Sequence, residues 1–167
     1  MLLTDLAELP LTYTDVGATA DPAGMPAGFN HVHVARRIGC GRQRFEEAGA
    51  SVLRYGMLRG AGVAVTASTE VAEAGTLVLG RLGFFDAPCR VVYVFDEPNR
   101  LGFAYGTLPG HPVAGEERFS VRYDPASESV YAEVAAFSRP HTWWARLGAP
   151  ALGVVQKIVT RRYLGAL

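Results

Sequence analysis

Between Val63 and Ser138 the chain carries six extended, alternating segments in a row, with short turns between them and no helical stretch among them. They are Val63 to Thr69, Thr76 to Leu82, Cys89 to Asp96, Leu101 to Leu108, Gly115 to Asp124 and Ser129 to Ser138. Glu97-Pro98-Asn99-Arg100 and Asp124-Pro125-Ala126-Ser127 spell two of the turns. Strands that follow one another through short turns pair antiparallel, so this block predicts a meander and excludes a βαβ sheet. In the third segment Val91, Tyr93 and Phe95 alternate with Val92 and Val94. In the fourth, Phe103, Tyr105 and Thr107 share one phase.

The flanks change period. Phe29 to Ile38 reads as a further strand, with Val32, Val34 and Ile38 on one face and His31, His33 and Arg37 on the other. After Gly39-Cys40-Gly41 the period becomes helical from Arg42 to about Leu58. Phe45, Ala48, Val52 and Leu53 form the apolar face there, and Met57 extends it. At the other end Thr142 can cap a short turn holding Trp143 and Trp144. Pro150 suits the first position of a long helix to Leu164, with Ala151, Val154, Val155 and Ile158 as its stripe. The order predicts an α+β helix-grip arrangement: a curved antiparallel sheet of about six to seven strands wrapped around a long C-terminal helix. Pro10, Gly17, Pro22, Gly24, Pro26 and Gly28 break any period before it. The expected division is therefore an irregular arm over residues 1–28 and a single domain over 29–167.

Composition narrows the class of partner. The 167 residues suit one domain, and 49% apolar against 19% charged residues provides one core. Sixteen basic and 16 acidic residues cancel, which argues against a nucleic-acid binder. No apolar run is long enough for a membrane helix, and the first ten residues lack the basic start of a signal peptide. Cys40 and Cys89 read as reduced thiols, and the expected location is the cytoplasm. Oligomeric state is left open. Asp5, Glu8, Asp15 and Asp21 make the arm acidic, whereas Arg139, Arg146, Lys157, Arg161 and Arg162 make the tail basic. The two attract each other across the fold, or the tail meets an anionic partner.

Chemistry concentrates in few residues. His31 and His33 have metal-binding spacing on a strand but lack a third ligand, so no metal and no cofactor is expected. Nucleotide-loop, hydrolase and zinc motifs do not occur. In Tyr105 to Pro112, two prolines and two glycines fix a loop around His111, which titrates near neutrality. Glu117 is in phase with Phe119, Val121 and Tyr123. Alternation therefore places a carboxylate on the apolar face, where it needs a partner or a cavity. Tyr93, Tyr105 and Arg139 are its expected partners. Glu116, Arg118 and Arg90 fall in the opposite phase and read as surface. Trp143-Trp144 reads as the close of the core, or as an anchor for a membrane or partner.

Six segments together carry a likeness. They are Tyr13 to Gly17, Pro88 to Val94, Gly102 to Pro112, Gly115-Glu116-Glu117, Ala136 to Pro140, and Gln156 with Arg161 to Leu164. They resemble the domain-of-unknown-function family numbered nineteen-ninety, a branch of the START-like, or Bet v 1-like, helix-grip superfamily. The resemblance covers nearly the whole chain and implies a hydrophobic cavity between sheet and long helix. It brings no established activity. Tyr55-Gly56-Met57-Leu58 departs from the family pattern and implies a more apolar pocket. The leading expectation is a binding protein for a small apolar or amphipathic molecule, with Tyr93, Tyr105, His111, Glu117 and Arg139 as ligand-binding residues. The alternatives are a lyase, cyclase or hydrolase using His111 and Glu117 as acid and base, and an interaction module docking through Trp143-Trp144 and the basic tail.

Overall fold

The computed structural model describes residues 2–141 and 161–167. A first strand, β1 (Asn30–Cys40), leads into helices α1 (Arg42–Leu53) and α2 (Gly56–Gly60). Six strands follow: β2 (Ala64–Ala67), β3 (Leu77–Leu82), β4 (Phe85–Glu97), β5 (Arg100–Thr107), β6 (Val113–Asp124) and β7 (Ser129–Pro140). All seven form one antiparallel sheet in the order β1-β7-β6-β5-β4-β3-β2. The expected antiparallel meander is thus present, with the first strand returning to pair beside the last. Among the described residues no helix is long and apolar enough to cross a membrane. Cys40 is exposed and Cys89 buried, and both are free thiols.

One expectation about helices needs correction. The single helix from Arg42 to Leu58 is broken, because Tyr55 takes a left-handed backbone, φ 63°, and α2 starts after it. A left-handed non-glycine residue costs about 1–2 kcal/mol. Burial of the Tyr55 ring edge-on against Phe103, at 5.5 Å between centroids, offsets it. The long C-terminal helix is not established. Residues 161–164 are helical, but the stripe Ala151, Val154, Val155 and Ile158 lies outside the described residues, as do Thr142, Trp143 and Trp144.

The sheet is covered on both faces. On the inner face Phe103, Phe119, Val121, Val130 and Val134 join Phe45, Ala48 and Val52 of α1, with Tyr163 and Leu164. The outer face lies under residues 2–28, which run as three short 3₁₀ turns (Leu3–Leu6, Ala18–Ala20 and Pro22–Gly24) linked by irregular chain. Leu6, Tyr13 and Thr19 of this arm are buried, and the Thr12 amide donates to the Thr107 carbonyl at 3.1 Å. The arm comes so close at Gly106 that any Cβ there would run into the Tyr13 ring and Leu11. We expect Gly106→Ala to destabilise the protein by about 1–3 kcal/mol, the usual penalty of overpacking. Urea unfolding should show a lower midpoint at unchanged slope, and an unchanged midpoint would refute the close docking of the arm.

Candidate functional site

Tyr105 and Glu117 are direct cross-strand partners of β5 and β6, so their side chains leave the sheet on the same, inner face. The Tyr105 hydroxyl donates to Glu117 Oε2 at 3.1 Å. Just past β5 the chain turns, with the His111 amide donating to the Leu108 carbonyl at 3.1 Å. His111 Nδ1 lies 3.0 Å from the Val113 carbonyl oxygen and 3.1 Å from the Val113 amide nitrogen, which fixes the ring. Glu117 and His111, with Thr107, Val113 and Ala136, line a pocket of about 40 Å³. That volume holds one or two waters or one small polar group. Beside it Phe119 meets Tyr105 and Tyr163 edge-on, at centroid distances of 5.4 and 5.0 Å.

The other two expected site residues are elsewhere. A bulge between Val91 and Tyr93 inserts an extra residue into β4, so Val91 pairs with Tyr105 on the inner face but Tyr93 pairs with Ala104 on the outer. The Tyr93 hydroxyl accordingly meets Thr19 Oγ1 of the arm at 2.6 Å. Arg139 shares the outer phase of Phe137, is exposed, and lies over the Phe29 ring at 4.7 Å. It borders a groove of about 450 Å³ with Tyr13, Asp15 and Phe29, on the opposite face from Glu117.

The outer face also overturns the reading of Glu116 and Arg118 as surface, since each is 2% exposed. Glu116 takes four hydrogen bonds from the arm: Tyr13 hydroxyl and Gly17 amide at 2.7 Å each on Oε2, Thr19 amide at 3.0 Å and Thr19 hydroxyl at 2.5 Å on Oε1. Arg118 donates to the Thr19 carbonyl at 3.0 Å and the Ala20 carbonyl at 3.3 Å, with Glu133 at 3.6 Å. Arg90, also expected at the surface, donates to the carbonyls of Leu6, Ala7 and Leu9. The physical reason is shared: an arm of short 3₁₀ turns and irregular chain leaves many backbone groups unpaired, and charged side chains of the sheet satisfy them. Of the arm's acids, Asp5 accepts from the Leu2 amide and Asp21 from the Ala23 amide.

The family model described as Domain of unknown function (DUF1990) matches residues 12–166. The chain belongs to this family. It is similar to UPF0548 proteins. It is 32% identical over 144 residues to one from Arabidopsis thaliana, covering 80% of this chain and 69% of that protein. It is 46% identical over 74 residues to one from Deinococcus radiodurans, covering 44% of this chain and 37% of that protein. The matches thus span from about a third to about two thirds of these relatives' own lengths. A solved hypothetical protein of Helicobacter pylori superimposes with a TM-score of 0.64 over 83% of this chain and 84% of its own, at 9% identity, which is a likeness of fold. The DUF1990 match begins at residue 12, so it takes in much of the arm together with the sheet.

Within this DUF1990 domain burial controls the titration of the inner pocket. Desolvation raises the Glu117 carboxyl from 4.5 to about 7, and the Tyr105 hydrogen bond opposes the rise. Desolvation lowers His111 to about 4, so its imidazole is neutral at pH 7. Burial, and then the Glu117 charge, push the Cys89 thiol and the Tyr105 and Tyr163 phenols well above their ordinary values. At neutral pH Glu117 is therefore about half ionised, beside a neutral Tyr105 phenol and a neutral His111 imidazole.

Proposed function

We propose that this protein binds a small apolar or amphipathic molecule on the inner face of the sheet, with the ligand's polar end in the pocket lined by Glu117 and His111. One observation carries the reading: Glu117 is a carboxyl on an otherwise apolar face, partly buried, with one hydrogen bond among the described residues, and it opens onto a cavity. A packed core has no use for such a group, whereas a binding site uses it to fix the orientation of its ligand. Tyr105 is its hydroxyl partner, and His111 is a second polar group of the wall. Tyr93 and Arg139, being on the outer face, are not part of this site. Acid–base catalysis on the bound molecule is the second reading, favoured by a carboxyl near 7 and an imidazole near 4 in one pocket.

The test is to block the pocket without touching its polar groups. Ala136 is buried, pairs with Glu117 across the strands and lines the pocket. Ala136→Val adds two methyl groups to that wall. Native mass spectrometry of protein purified under non-denaturing conditions should show a small molecule on the parent chain and none on the folded Ala136→Val variant. A parent protein that carries no molecule, and whose melting temperature no apolar or amphipathic compound shifts, refutes the binding reading. Conversion of the released molecule by fresh protein would favour catalysis.

A further inference from the structure

We propose that the ligand of the inner pocket is an amphipathic amine, its ammonium group held by Glu117 beside the Tyr105 ring. This rests on the reading of the pocket as a binding site and adds the chemical class of what it takes. Three observations converge. Among the described residues Glu117 receives one hydrogen bond, on Oε2, and Oε1 has no protein donor. The described residues that line the pocket include two carboxylates, Glu116 and Glu117, and no Lys or Arg. Both Glu116 oxygens are already taken up by the arm, which leaves Glu117 as the acceptor a ligand can reach. Of the aromatic rings, Tyr105 lines the pocket, and Phe119 packs edge-on against it and against Tyr163.

The chemistry discriminates among ligands. A carboxylate or phosphate would enter against like charge with no cation to meet it, which costs affinity. A hydroxyl would give the Glu117 carboxylate a donor but leave its charge unmatched. An ammonium group supplies the missing donor and the missing charge together, in a charge-assisted bond that is stronger than a neutral one. It is about the size of a water, so it fits a pocket of about 40 Å³. The groups around Glu117 leave its charge uncompensated: Tyr105, Tyr163 and Cys89 are held neutral and His111 titrates near 4.

Hexylamine, hexanol and hexanoate share one apolar body and differ at the polar end, so they serve as probes. Titrated into the whole chain at pH 8 and followed by NMR at Tyr105 and Phe119, hexylamine should bind at least about tenfold more tightly than hexanol, a gain of about 1.4 kcal/mol, and hexanoate should not bind. Lowering the pH from 8 to 6 protonates Glu117 and should weaken hexylamine about tenfold, with hexanol unchanged. Glu117→Gln keeps the volume and should bring hexylamine down to the level of hexanol. If that variant does not fold, Tyr105→Phe serves in its place. It keeps the ring and the carboxylate, so the amine preference must persist, and its loss there overturns the inference. Equal binding of hexylamine and hexanol to the parent chain, or an amine preference that survives in Glu117→Gln, refutes the amine and leaves the pocket standing. Failure of all three probes to bind refutes the pocket reading itself.

Discussion

Glu116→Ala should lower the unfolding free energy by about 3–5 kcal/mol and release the N-terminal arm from the sheet. The wild-type carboxylate accepts from two backbone amides and two hydroxyls, and it is almost fully buried. Alanine leaves the Gly17 and Thr19 amides and the Tyr13 hydroxyl without an acceptor. A buried donor left unmade costs about 1–3 kcal/mol. Water entering the vacated space recovers part of the sum, hence a total below the simple addition. Glu116→Gln keeps one acceptor oxygen but turns an amide NH₂ toward other donors, so about half the loss is expected. Arg118 depends on the same arm, since its guanidinium donates to the Thr19 and Ala20 carbonyls and would lose them when the arm leaves. Urea unfolding gives the energy, and limited proteolysis within residues 2–28 reports the release. A loss below about 1 kcal/mol with an intact arm would show that Glu116 does not hold it.

That latch marks where sequence reasoning stopped. Alternation located all seven strands because a half-buried strand must alternate, and it placed Glu117 on the inner face for the same reason. Alternation also assigned Glu116, Arg118 and Arg90 to solvent, since it reports phase and does not report what covers the second face. A signal for a cover was present: the outer phase of β5 holds Gly102, Ala104 and Gly106, and across β6 the same face of β7 carries Ala135 and Phe137. A solvated face would carry polar or β-branched residues there. The bulge after Val91 was not readable either, because one inserted residue reverses the phase of everything beyond it, and so Tyr93 went to the wrong face. Arg139 failed differently, by reach without phase. The helix break at Tyr55 rests on tertiary burial of its ring, which local propensity does not encode.

Glu117→Gln should stabilise the protein at pH 8 by about 2 kcal/mol and leave it nearly unchanged at pH 5. The folded-state value of Glu117, about 7, lies above the ordinary 4.5, so the folded protein holds this proton more tightly than the unfolded chain. The stability linked to it is fully present below about pH 4.5 and is lost as the pH rises through 7. The full displacement corresponds to about 3 kcal/mol, and partial access of water through the pocket reduces it to about 2. Glutamine does not titrate, so it removes that slope while still accepting from Tyr105. The neighbours do not obscure the window: His111 takes up its proton only near pH 4, and burial holds Tyr105, Tyr163 and Cys89 neutral through pH 8. Unfolding free energies of both proteins at several pH values from 5 to 8 give the difference directly. Parallel profiles would mean that Glu117 ionises normally and that the pocket is open water. Diverging profiles would mean that the chain keeps a carboxyl that weakens its fold at neutral pH. On the proposed binding role, the same ionisation would set both the pH dependence of stability and the pH dependence of amine binding.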